Sequence, residues 1–289
     1  MAAPILVTGG TGTLGSLLVA QLTGAGRAVR VLSRSHHDNA DGVEFTRGDL
    51  LTGDGLATAV DGVATIVHCA SSYKGDPVAA RNLLRAAAAA RPRVTHLVYI
   101  SIVGIDAAPI TGLARRPLSY PLAKLEVEGL VESSGIPWTI LRATQFYSLV
   151  FTGARTMTKL PLVPVPGGLK FQPVDEADVA KRLAELALDA PAGRVPDIGG
   201  PQAATFAGFF RTYLRITHRR RVFLPIRMPG RFARAMRNGS YLVPADLEPG
   251  NARGRRTWEQ YVLTRLASES RQPVGSGAGS APTATSASR

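Results

Sequence analysis

Short apolar runs alternate with amphipathic stretches along the first half of the chain. The run Ile5-Leu6-Val7 is followed by a glycine-rich turn and then by leucines at helical spacing from Leu14 to Leu22. Runs that are apolar throughout are typical of parallel strands covered by helices on both faces. The repeated order of strand and helix predicts an α/β fold with a right-handed, doubly wound parallel sheet. Later strands are predicted at 28–32, 65–67, 97–100 and 138–141, and later helices at 82–90 and from Pro121 to a stop at Gly135.

The composition excludes several classes of protein. At 289 residues and 45% hydrophobic, the chain suits one large α/β domain or two small ones, and it is not collagen-like, coiled-coil or wholly disordered. The single cysteine, Cys69, excludes an internal disulfide and fits a cytoplasmic location. We expect no cleaved signal segment, because glycines interrupt the first apolar stretch. We expect no membrane-spanning helix either, because no uncharged run approaches the ~20 residues needed.

The net charge of +13 is concentrated in one segment. Residues 1–204 carry 19 basic and 17 acidic side chains, residues 205–267 carry 13 and 3, and residues 268–289 carry 2 and 1. The last stretch is mostly Ser, Gly, Ala, Pro and Thr with almost nothing apolar to bury, which predicts a disordered tail. We therefore predict a nearly balanced domain at 1–204, a basic, mainly helical region at 205–267 and a tail at 268–289.

The turn after the first strand carries regularly spaced glycines. A phosphate can approach a helix N-terminus only if backbone N–H groups face it without Cβ atoms in the way, and Gly9, Gly12 and Gly15 meet that need. The turn lies between an apolar strand and an amphipathic helix, which is the setting of a dinucleotide pyrophosphate site. The alternative is a plain compact turn. The predicted cofactor-binding turn is Thr8-Gly9-Gly10-Thr11-Gly12-Thr13-Leu14-Gly15.

The end of the second strand bears on the choice of dinucleotide. An acidic residue there would bind the adenosine ribose of NAD(H) and repel a 2′-phosphate. The sequence has Ser33 and Arg34 instead, a neutral hydroxyl and a planar cation suited to a phosphate. We therefore expect NADP(H) to be favoured over NAD(H), and the alternative is a solvated surface arginine.

Further motifs follow the successive strands. Together with the TGxxGxxG form of the turn, they make the chain resemble the short-chain dehydrogenase/reductase superfamily, and within it the atypical NmrA-like branch of NAD(P)H-binding proteins. The resemblance covers about residues 4–200. It implies a Rossmann-type doubly wound parallel sheet with a smaller C-terminal substrate-side region. The motifs are Gly48-Asp49-Leu50, His68-Cys69-Ala70-Ser71, Tyr99-Ile100-Ser101, Tyr120-Pro121-Leu122-Ala123-Lys124, Pro137 to Phe146 and Pro173 to Ala180.

The resemblance implies cofactor contacts at two strand ends. Asp49 would contact the adenine amino group, and Leu50 would pack on the adenine ring. Ala70 and Ser71 would border the ribose and phosphate region. The alternatives are an aspartate that caps the helix starting near Gly53 and a strand end of small residues. These residues lie at successive strand ends, where open α/β sheets bind ligands, and this favours the cofactor interpretation.

Tyr120 and Lys124 form a candidate catalytic pair. They are four residues apart, which places both on one face of a helix. A nearby ammonium favours the anionic form of a phenol and lowers its pKa from about 10. The resemblance implies that the tyrosine gives a proton to the substrate carbonyl oxygen and that the lysine holds the nicotinamide ribose. The alternative is an ordinary amphipathic helix with one Tyr and one Lys.

Two departures from the catalytic pattern of the family lie near this pair. Pro121 directly follows Tyr120, which sets the tyrosine at or just before the first helical turn. The family usually has a serine or threonine slightly beyond the end of the fifth strand, whereas here Ser101 is followed by Ile102, Val103 and Gly104. Ser101 is then expected only to line the nicotinamide site.

The remaining candidates are weaker. Thr144, together with the three residues that follow it, is expected to line the nicotinamide or substrate pocket, although Phe146 suits the core equally well. The adjacent His36 and His37 lie in a polar loop and rarely would converge on one ion, so we predict no metal site. Cys69 is predicted to be a small buried side chain, not a nucleophile.

The basic segment admits three interpretations. Aromatic residues beside arginines can stack bases or lie in a membrane interface, but an aromatic helical stripe more often faces the core. Nucleic acid is not expected as a partner, because no recognised binding module accompanies the segment. Peripheral contact with anionic lipid through 205–237 stays open. The stripe and the basic run are Phe206, Phe209, Phe210, Tyr213 and Leu214, then His218-Arg219-Arg220-Arg221.

Two functional hypotheses result. The first is an NADP(H)-dependent oxidoreductase of the atypical short-chain type that transfers hydride to a carbonyl, a quinone or a similar small acceptor. The second is a non-catalytic NmrA-like sensor that binds NAD(P)(H). The intact Tyr–Lys spacing supports the enzyme, and the missing hydroxyl after the fifth strand supports the sensor. Neither the substrate nor the oligomeric state can be predicted from the sequence.

Overall fold

The computed structural model describes residues 3–71, 75–106, 119–243 and 254–271. The strands are β1 (Ile5–Thr8), β2 (Val29–Ser33), β3 (Val43–Arg47), β4 (Thr65–His68), β5 (His96–Ile102), β6 (Trp138–Ala143), β7 (Leu162–Pro166), β8 (Lys170–Phe171), β9 (Gly193–Arg194), β10 (Ala204–Thr205) and β11 (Val222–Ile226). The helices are α1 (Thr13–Gly24), α2 (Leu56–Val60), α3 (Asp76–Ala89), α4 (Ser119–Glu132), α5 (Tyr147–Met157), α6 (Glu176–Leu188), α7 (Phe206–Ile216), α8 (Arg231–Arg237) and α9 (Trp258–Arg271).

Seven strands form one parallel sheet in the order β3-β2-β1-β4-β5-β6-β9. The chain starts in the middle of the sheet at β1, builds outward through β2 and β3, and then returns to add β4 on the other side of β1. The direction of strand addition therefore reverses between β1 and β4. Because each predicted strand of the first 141 residues is present in this sheet, the predicted Rossmann-type doubly wound fold is confirmed.

Side chains of the buried strands alternate between the two faces of the sheet, and the cluster on the face toward α1 and α6 is called the first core. On β1, Ile5 and Val7 pack with α1 and α6, whereas Leu6 packs with α2, α3 and α4 on the opposite face. Helix α1 contributes Leu18 and Leu22 to the first core. Both faces of the sheet are covered, which explains why successive residues of β1, Ile5, Leu6 and Val7, are all apolar.

A second hydrophobic core lies outside the parallel sheet and joins two stretches of chain. Residues 147–171 supply part of it, and residues 206–262 supply the rest. The aromatic stripe of α7 faces this core, since Phe209, Phe210 and Tyr213 are buried. The core-facing interpretation of the stripe is therefore confirmed. The domain boundary between 204 and 205 stays a prediction, and the second core draws on both sides of it.

The predicted start of the tail at Ser268 is wrong. Helix α9 continues to Arg271, and the Arg155 guanidinium donates to the Glu269 carboxylate at 2.9 Å. This ion pair and the good helix propensity of Ala, Glu and Arg extend the helix past the predicted boundary. The rest of the predicted tail, 272–289, lies outside the described residues. Within the described part of the chain, no helix combines the length and apolar character that crossing a membrane requires.

Candidate functional site

The candidate site lies at the carboxyl ends of β1 and β4, where the strand order reverses. In open α/β sheets, ligands bind in the crevice outside these strand ends. Here the glycine-rich turn leaves β1 at Thr8, and the segment from His68 to Ser71 leaves β4 beside it. Sequence motifs that were distant along the chain therefore meet at one edge of the sheet.

The glycine turn has no room for side chains at two of its positions. Gly9 has a φ of +71°, and a Cβ there would lie 2.7 Å from the backbone nitrogen of Ala70. A Cβ at Gly15 would lie 2.1 Å from the carbonyl oxygen of Gly9. The backbone N–H of Gly12 closes the turn by donating to that same oxygen at 2.9 Å. The backbone is therefore packed directly on itself and on the neighbouring strand end.

The first turn of α1 is suited to an anion. Within the described residues, no side chain caps this helix at Gly12, and its first turn holds no acidic residue. The orphan N–H groups of a helix N-terminus carry partial positive charge and bind phosphate when nothing else occupies them. A dinucleotide pyrophosphate fits this cradle, because the glycines keep Cβ atoms away from those groups.

The side chain of Thr8 connects the glycine turn to the end of the neighbouring strand β4. Its hydroxyl lies 2.7 Å from Nδ1 of His68 and accepts the backbone N–H of Ala70 at 3.3 Å. Burial, and then the charge of Lys124, lower the pKa of His68 to about 3, so its imidazole is neutral at physiological pH. The Thr8 hydroxyl thus connects the end of β1 to the end of β4 through both His68 and Ala70. The hydrogen bond with Ala70 holds the glycine turn against that residue.

The predicted adenosine side lies at the ends of β2 and β3. Ser33 is buried and its hydroxyl accepts the backbone N–H of Ser35 at 3.2 Å. Arg34 is exposed, and its guanidinium makes no hydrogen bond or ion pair with another described residue. The Asp49 carboxylate accepts the backbone N–H of Leu51 at 2.8 Å. Asp49 does not cap α2, so that alternative is wrong.

A buried ion pair lies next to the turn. Lys124 and Asp76 are 2% and 4% exposed, and the Lys124 ammonium lies 3.7 Å from Oδ2 of Asp76. The ammonium also donates to the carbonyl oxygen of Ile100 at 3.5 Å and lies 5.0 Å from the ring centroid of Tyr99. Burial lowers the pKa of Lys124, and the Asp76 carboxylate opposes that shift. Asp76 therefore supplies the countercharge that a buried ammonium needs.

Tyr120 joins this ion pair through Ser71. The Ser71 hydroxyl donates to Oδ2 of Asp76 at 2.7 Å and lies 3.4 Å from the Tyr120 hydroxyl. The ring centroid of Tyr120 is 5.7 Å from the Lys124 ammonium. Tyr120 is the second residue of α4 and precedes Pro121, yet its hydroxyl lies at the same sheet edge as the glycine turn. The structure therefore brings the predicted Tyr–Lys pair together with Ser71.

Helix α4 is anchored to the sheet one turn beyond Lys124. The guanidinium of Arg142 on β6 forms two hydrogen bonds with the Glu128 carboxylate, at 2.8 and 2.6 Å, and both side chains are buried. Such two-point pairing restrains orientation as well as distance. Since Tyr120, Lys124 and Glu128 follow one another at intervals of four residues, the pair directs one face of α4 to the site.

Asp76 is the site residue that the sequence motifs missed. Gly75-Asp76-Pro77 carries a recognisable signal for the start of a helix, and α3 does begin there. Nothing local indicates that this carboxylate would lie against Lys124, because the two residues belong to different helices. The available signal was the general need of a buried lysine for an acidic partner.

The residues predicted to line the nicotinamide or substrate site, at the ends of β5 and β6, differ in burial and in hydrogen bonding. Ser101 is buried, and its hydroxyl has no hydrogen-bond partner among the described residues. The Thr144 hydroxyl donates to the carbonyl oxygen of Gln172 at 2.5 Å. Tyr147 is fully buried in the second core, so the expectation that it lines the pocket is wrong. Phe146 is half-buried against the first core.

Cys69 behaves as a packing residue. It is half-buried against the first core, and burial raises the pKa of its thiol to about 12. A thiol with so high a pKa stays protonated and is a poor nucleophile. Cys69 therefore packs against the core as predicted, although its side chain is only partly buried. Within the part of the chain that the structure describes, no three His, Cys, Asp or Glu side chains are grouped closely enough to hold a metal ion.

The reversed strand order and the glycine turn define a Rossmann-type dinucleotide-binding protein. Residues 9–190 match the model of the NAD(P)H-binding family. The chain belongs to this family, in the NmrA-like branch of the atypical short-chain dehydrogenases/reductases. The resemblance found in the sequence motifs is thus confirmed, while the roles of individual residues stay predictions.

The relatives of the chain include reductases. It is 31% identical over 206 residues to the (4-alkanoyl-5-oxo-2,5-dihydrofuran-3-yl)methyl phosphate reductase of Streptomyces griseus. The aligned residues cover 70% of this chain and 69% of that protein. It is 30% identical over 210 residues to the NAD(P)H azoreductase of Xenophilus azovorans, 70% of each chain. Its fold is similar to that of triphenylmethane reductase from Citrobacter sp. complexed with NADP(H), with a TM-score of 0.70, 21% identity and coverage of 91% and 99% of the two chains.

Proposed function

We propose that the protein is an NADP(H)-dependent oxidoreductase that reduces a carbonyl, a quinone or a similar small conjugated acceptor. The observation that carries this proposal is the buried Lys124–Asp76 pair beside Tyr120, at the strand ends next to the glycine turn. Burying an ammonium and a carboxylate costs free energy, and buried groups such as Lys124, whose pKa burial lowers, cluster at functional sites. The reductase relatives support the same reaction class.

The cofactor would be held by backbone more than by side chains. The turn from Gly9 to Gly15 would bind the pyrophosphate, while Ser33 and Arg34 would face the adenosine 2′-phosphate. When bound, the cofactor supplies a hydride from its nicotinamide ring. The other residues proposed to border it are Asp49, Leu50, Ala70, Ser71, Ser101, Lys124 and Thr144.

Tyr120 would donate its phenolic proton to the oxygen of the acceptor. Lys124 favours the phenolate that remains and would bind the nicotinamide ribose. The Asp76 carboxylate opposes the lowering of the Lys124 pKa by burial and so favours the charged ammonium. The Ser71 hydroxyl donates to the Asp76 carboxylate at 2.7 Å and lies 3.4 Å from the Tyr120 hydroxyl, so it would link the phenol to the ion pair and hold its orientation. Ser71 and Asp76 are therefore proposed as positioning residues.

A sensor without catalysis is the second candidate. It is favoured by the segment after β5, where the described residues Ile102 to Asp106 carry no hydroxyl side chain that could orient a substrate. Such a protein would bind the dinucleotide and change its interactions with the redox state of the cofactor.

Oxidation of NADPH by the purified full chain separates the two candidates. Across a panel of aldehydes, ketones and quinones, we expect at least one acceptor to be reduced in amounts equal to the NADPH consumed. Tight binding of NADPH with no turnover on any member of the panel would instead support the sensor and remove the basis for the proposed activity.

The preference for NADP(H) depends on Arg34 in this proposal. Arg34→Asp should weaken NADPH binding about tenfold or more while leaving NADH binding little changed, because a charge-assisted bond to the 2′-phosphate is lost. Arg93→Asp makes the same change in net charge at an exposed position between α3 and β5, and it serves as the control. Titration of each variant with both dinucleotides measures the effect. Equal affinities of the parent for NADPH and NADH would refute the assignment.

A further inference from the structure

The small sheet formed by β7 and β11 has an apolar face toward solvent. The two strands pair in parallel, with Val222 opposite Leu162, Leu224 opposite Pro164 and Ile226 opposite Pro166. Val163 and Val165, which alternate with these positions on β7, are buried in the second core. Since successive side chains of a strand point to opposite faces, the six paired side chains lie on the face away from that core. We call them the outer face: Leu162, Pro164, Pro166, Val222, Leu224 and Ile226.

The outer face is unusual for a solvated surface. A sheet with one covered side normally has polar residues on its open side. Here Val222 is 66% exposed, Leu162 is 47% exposed, and Leu224 and Ile226 are each 44% exposed. Exposed Met228 follows the same strand and extends the apolar surface. Contiguous exposed apolar patches on soluble chains commonly mark interaction sites.

Arginines border both ends of β11. A surface cavity of about 310 Å³ beside Phe223 is lined by arginines, and so is a second cavity of about 390 Å³ beside Pro225. Among the described residues, Arg215 is the one member of this group that pairs with a carboxylate, that of Glu259 at 3.0 Å. Arg219, Arg220 and Arg221 directly precede β11 and Arg227 directly follows it, so positive charge without a carboxylate partner among the described residues lies at both ends of this strand. The seven arginines are Arg211, Arg215, Arg219, Arg220, Arg221, Arg227 and Arg237.

We propose that the outer face docks the protein on an anionic membrane surface. Aliphatic side chains that project from a rigid sheet can enter the boundary between headgroups and acyl chains. Arginines beside them can bind lipid phosphates and gain from the negative surface potential of the leaflet. The aliphatic side chains would contact the acyl chains, and the arginines would contact the phosphates of the headgroup layer. This inference is independent of the proposed oxidoreductase activity.

The observations favour lipid over two other partners. Single-stranded nucleic acid needs exposed aromatic rings on which bases stack, but Phe209, Phe210 and Tyr213 face the second core. Phe223 is half-buried and covered by the Arg211 guanidinium at 5.3 Å. A second copy of the chain would bring two arginine borders together, and like charges facing each other across an interface oppose association.

Flotation of the full chain with lipid vesicles tests the proposal. We expect the protein to float with vesicles of equal parts phosphatidylcholine and phosphatidylglycerol, and to remain unbound with phosphatidylcholine alone. The double variant Arg219→Ala/Arg220→Ala should lose about fivefold in partitioning for each charge removed. Leu224→Ser should lose about fivefold through the apolar contact.

Matched variants on the parallel-sheet domain control for charge and hydrophobicity. Arg85→Ala/Arg93→Ala removes the same charge at exposed positions, and Leu188→Ser changes a leucine that is 42% exposed, close to the 44% of Leu224. Both should partition like the parent. Unchanged urea unfolding and NADPH binding would show that each variant is folded.

Three results would overturn the proposal. The first is no flotation of the parent with anionic vesicles. The second is full flotation of Leu224→Ser together with binding of the parent to DNA, which would indicate a nucleic-acid partner. The third is a concentration-dependent dimer that Leu224→Ser abolishes, which would assign the outer face to self-association.

Discussion

Tyr120→Phe should lower turnover of NADPH with an accepted substrate by about 10²- to 10⁴-fold, the usual contribution of a positioned proton donor. The variant keeps the ring beside Lys124 and removes the one atom that would protonate the acceptor. NADPH affinity should stay close to that of the parent, because the glycine turn is untouched. Steady-state turnover and cofactor titration on the same preparation measure both quantities.

Tyr99→Phe is the matched control for this experiment. The Tyr99 ring also lies beside Lys124, but its hydroxyl is buried and has no partner among the described residues. Removing an unpartnered buried hydroxyl should leave turnover near that of the parent. Parental turnover in Tyr120→Phe would exclude the phenol as the acid. An equal loss in both variants would indicate disturbed packing around Lys124 instead.

Gly15→Ala should weaken NADPH binding by roughly tenfold to a hundredfold and lower the free energy of unfolding by about 1–3 kcal/mol. The added Cβ would lie 2.1 Å from the carbonyl oxygen of Gly9, so the turn must move away from the helix. That movement breaks the alignment of N–H groups that would bind the pyrophosphate. Calorimetric titration with NADPH and urea unfolding measure the two effects.

Gly24→Ala at the end of the same helix provides the comparison. A Cβ there would meet no atom within 4 Å, so this variant should bind NADPH normally. Its stability should equal or exceed that of the parent by up to about 1 kcal/mol, since alanine restricts the unfolded chain. Normal cofactor binding by Gly15→Ala would show that the turn does not hold the pyrophosphate.

The sequence predicted those features that depend on local pattern. Apolar runs such as Ile5-Leu6-Val7 mark buried parallel strands because both of their faces are covered. The spacing of Gly9, Gly12 and Gly15 follows from a steric rule that acts within one turn. The Tyr120–Lys124 pair also has a local basis, since four residues make about one turn of helix.

The features that could not be predicted depend on contacts between distant segments. Asp76 lies against Lys124 only because α3 and α4 pack side by side on one face of the sheet. The β7–β11 sheet joins Leu162 to Val222, and no period in the sequence links these strands. Tyr147 was predicted to line the pocket because it follows β6, but its ring is buried in the second core.

The second core has a consequence for chimeras made by exchanging acceptor-side regions between relatives. A single crossover near position 204 would separate residues 147–171 from the helices that cover them, and would leave mismatched surfaces around Phe151 and Val163. A functional transplant requires three crossovers, so that 147–171 travels with the segment after 204 while 172–204 stays with the host. In this architecture the unit of exchange is therefore discontinuous along the gene.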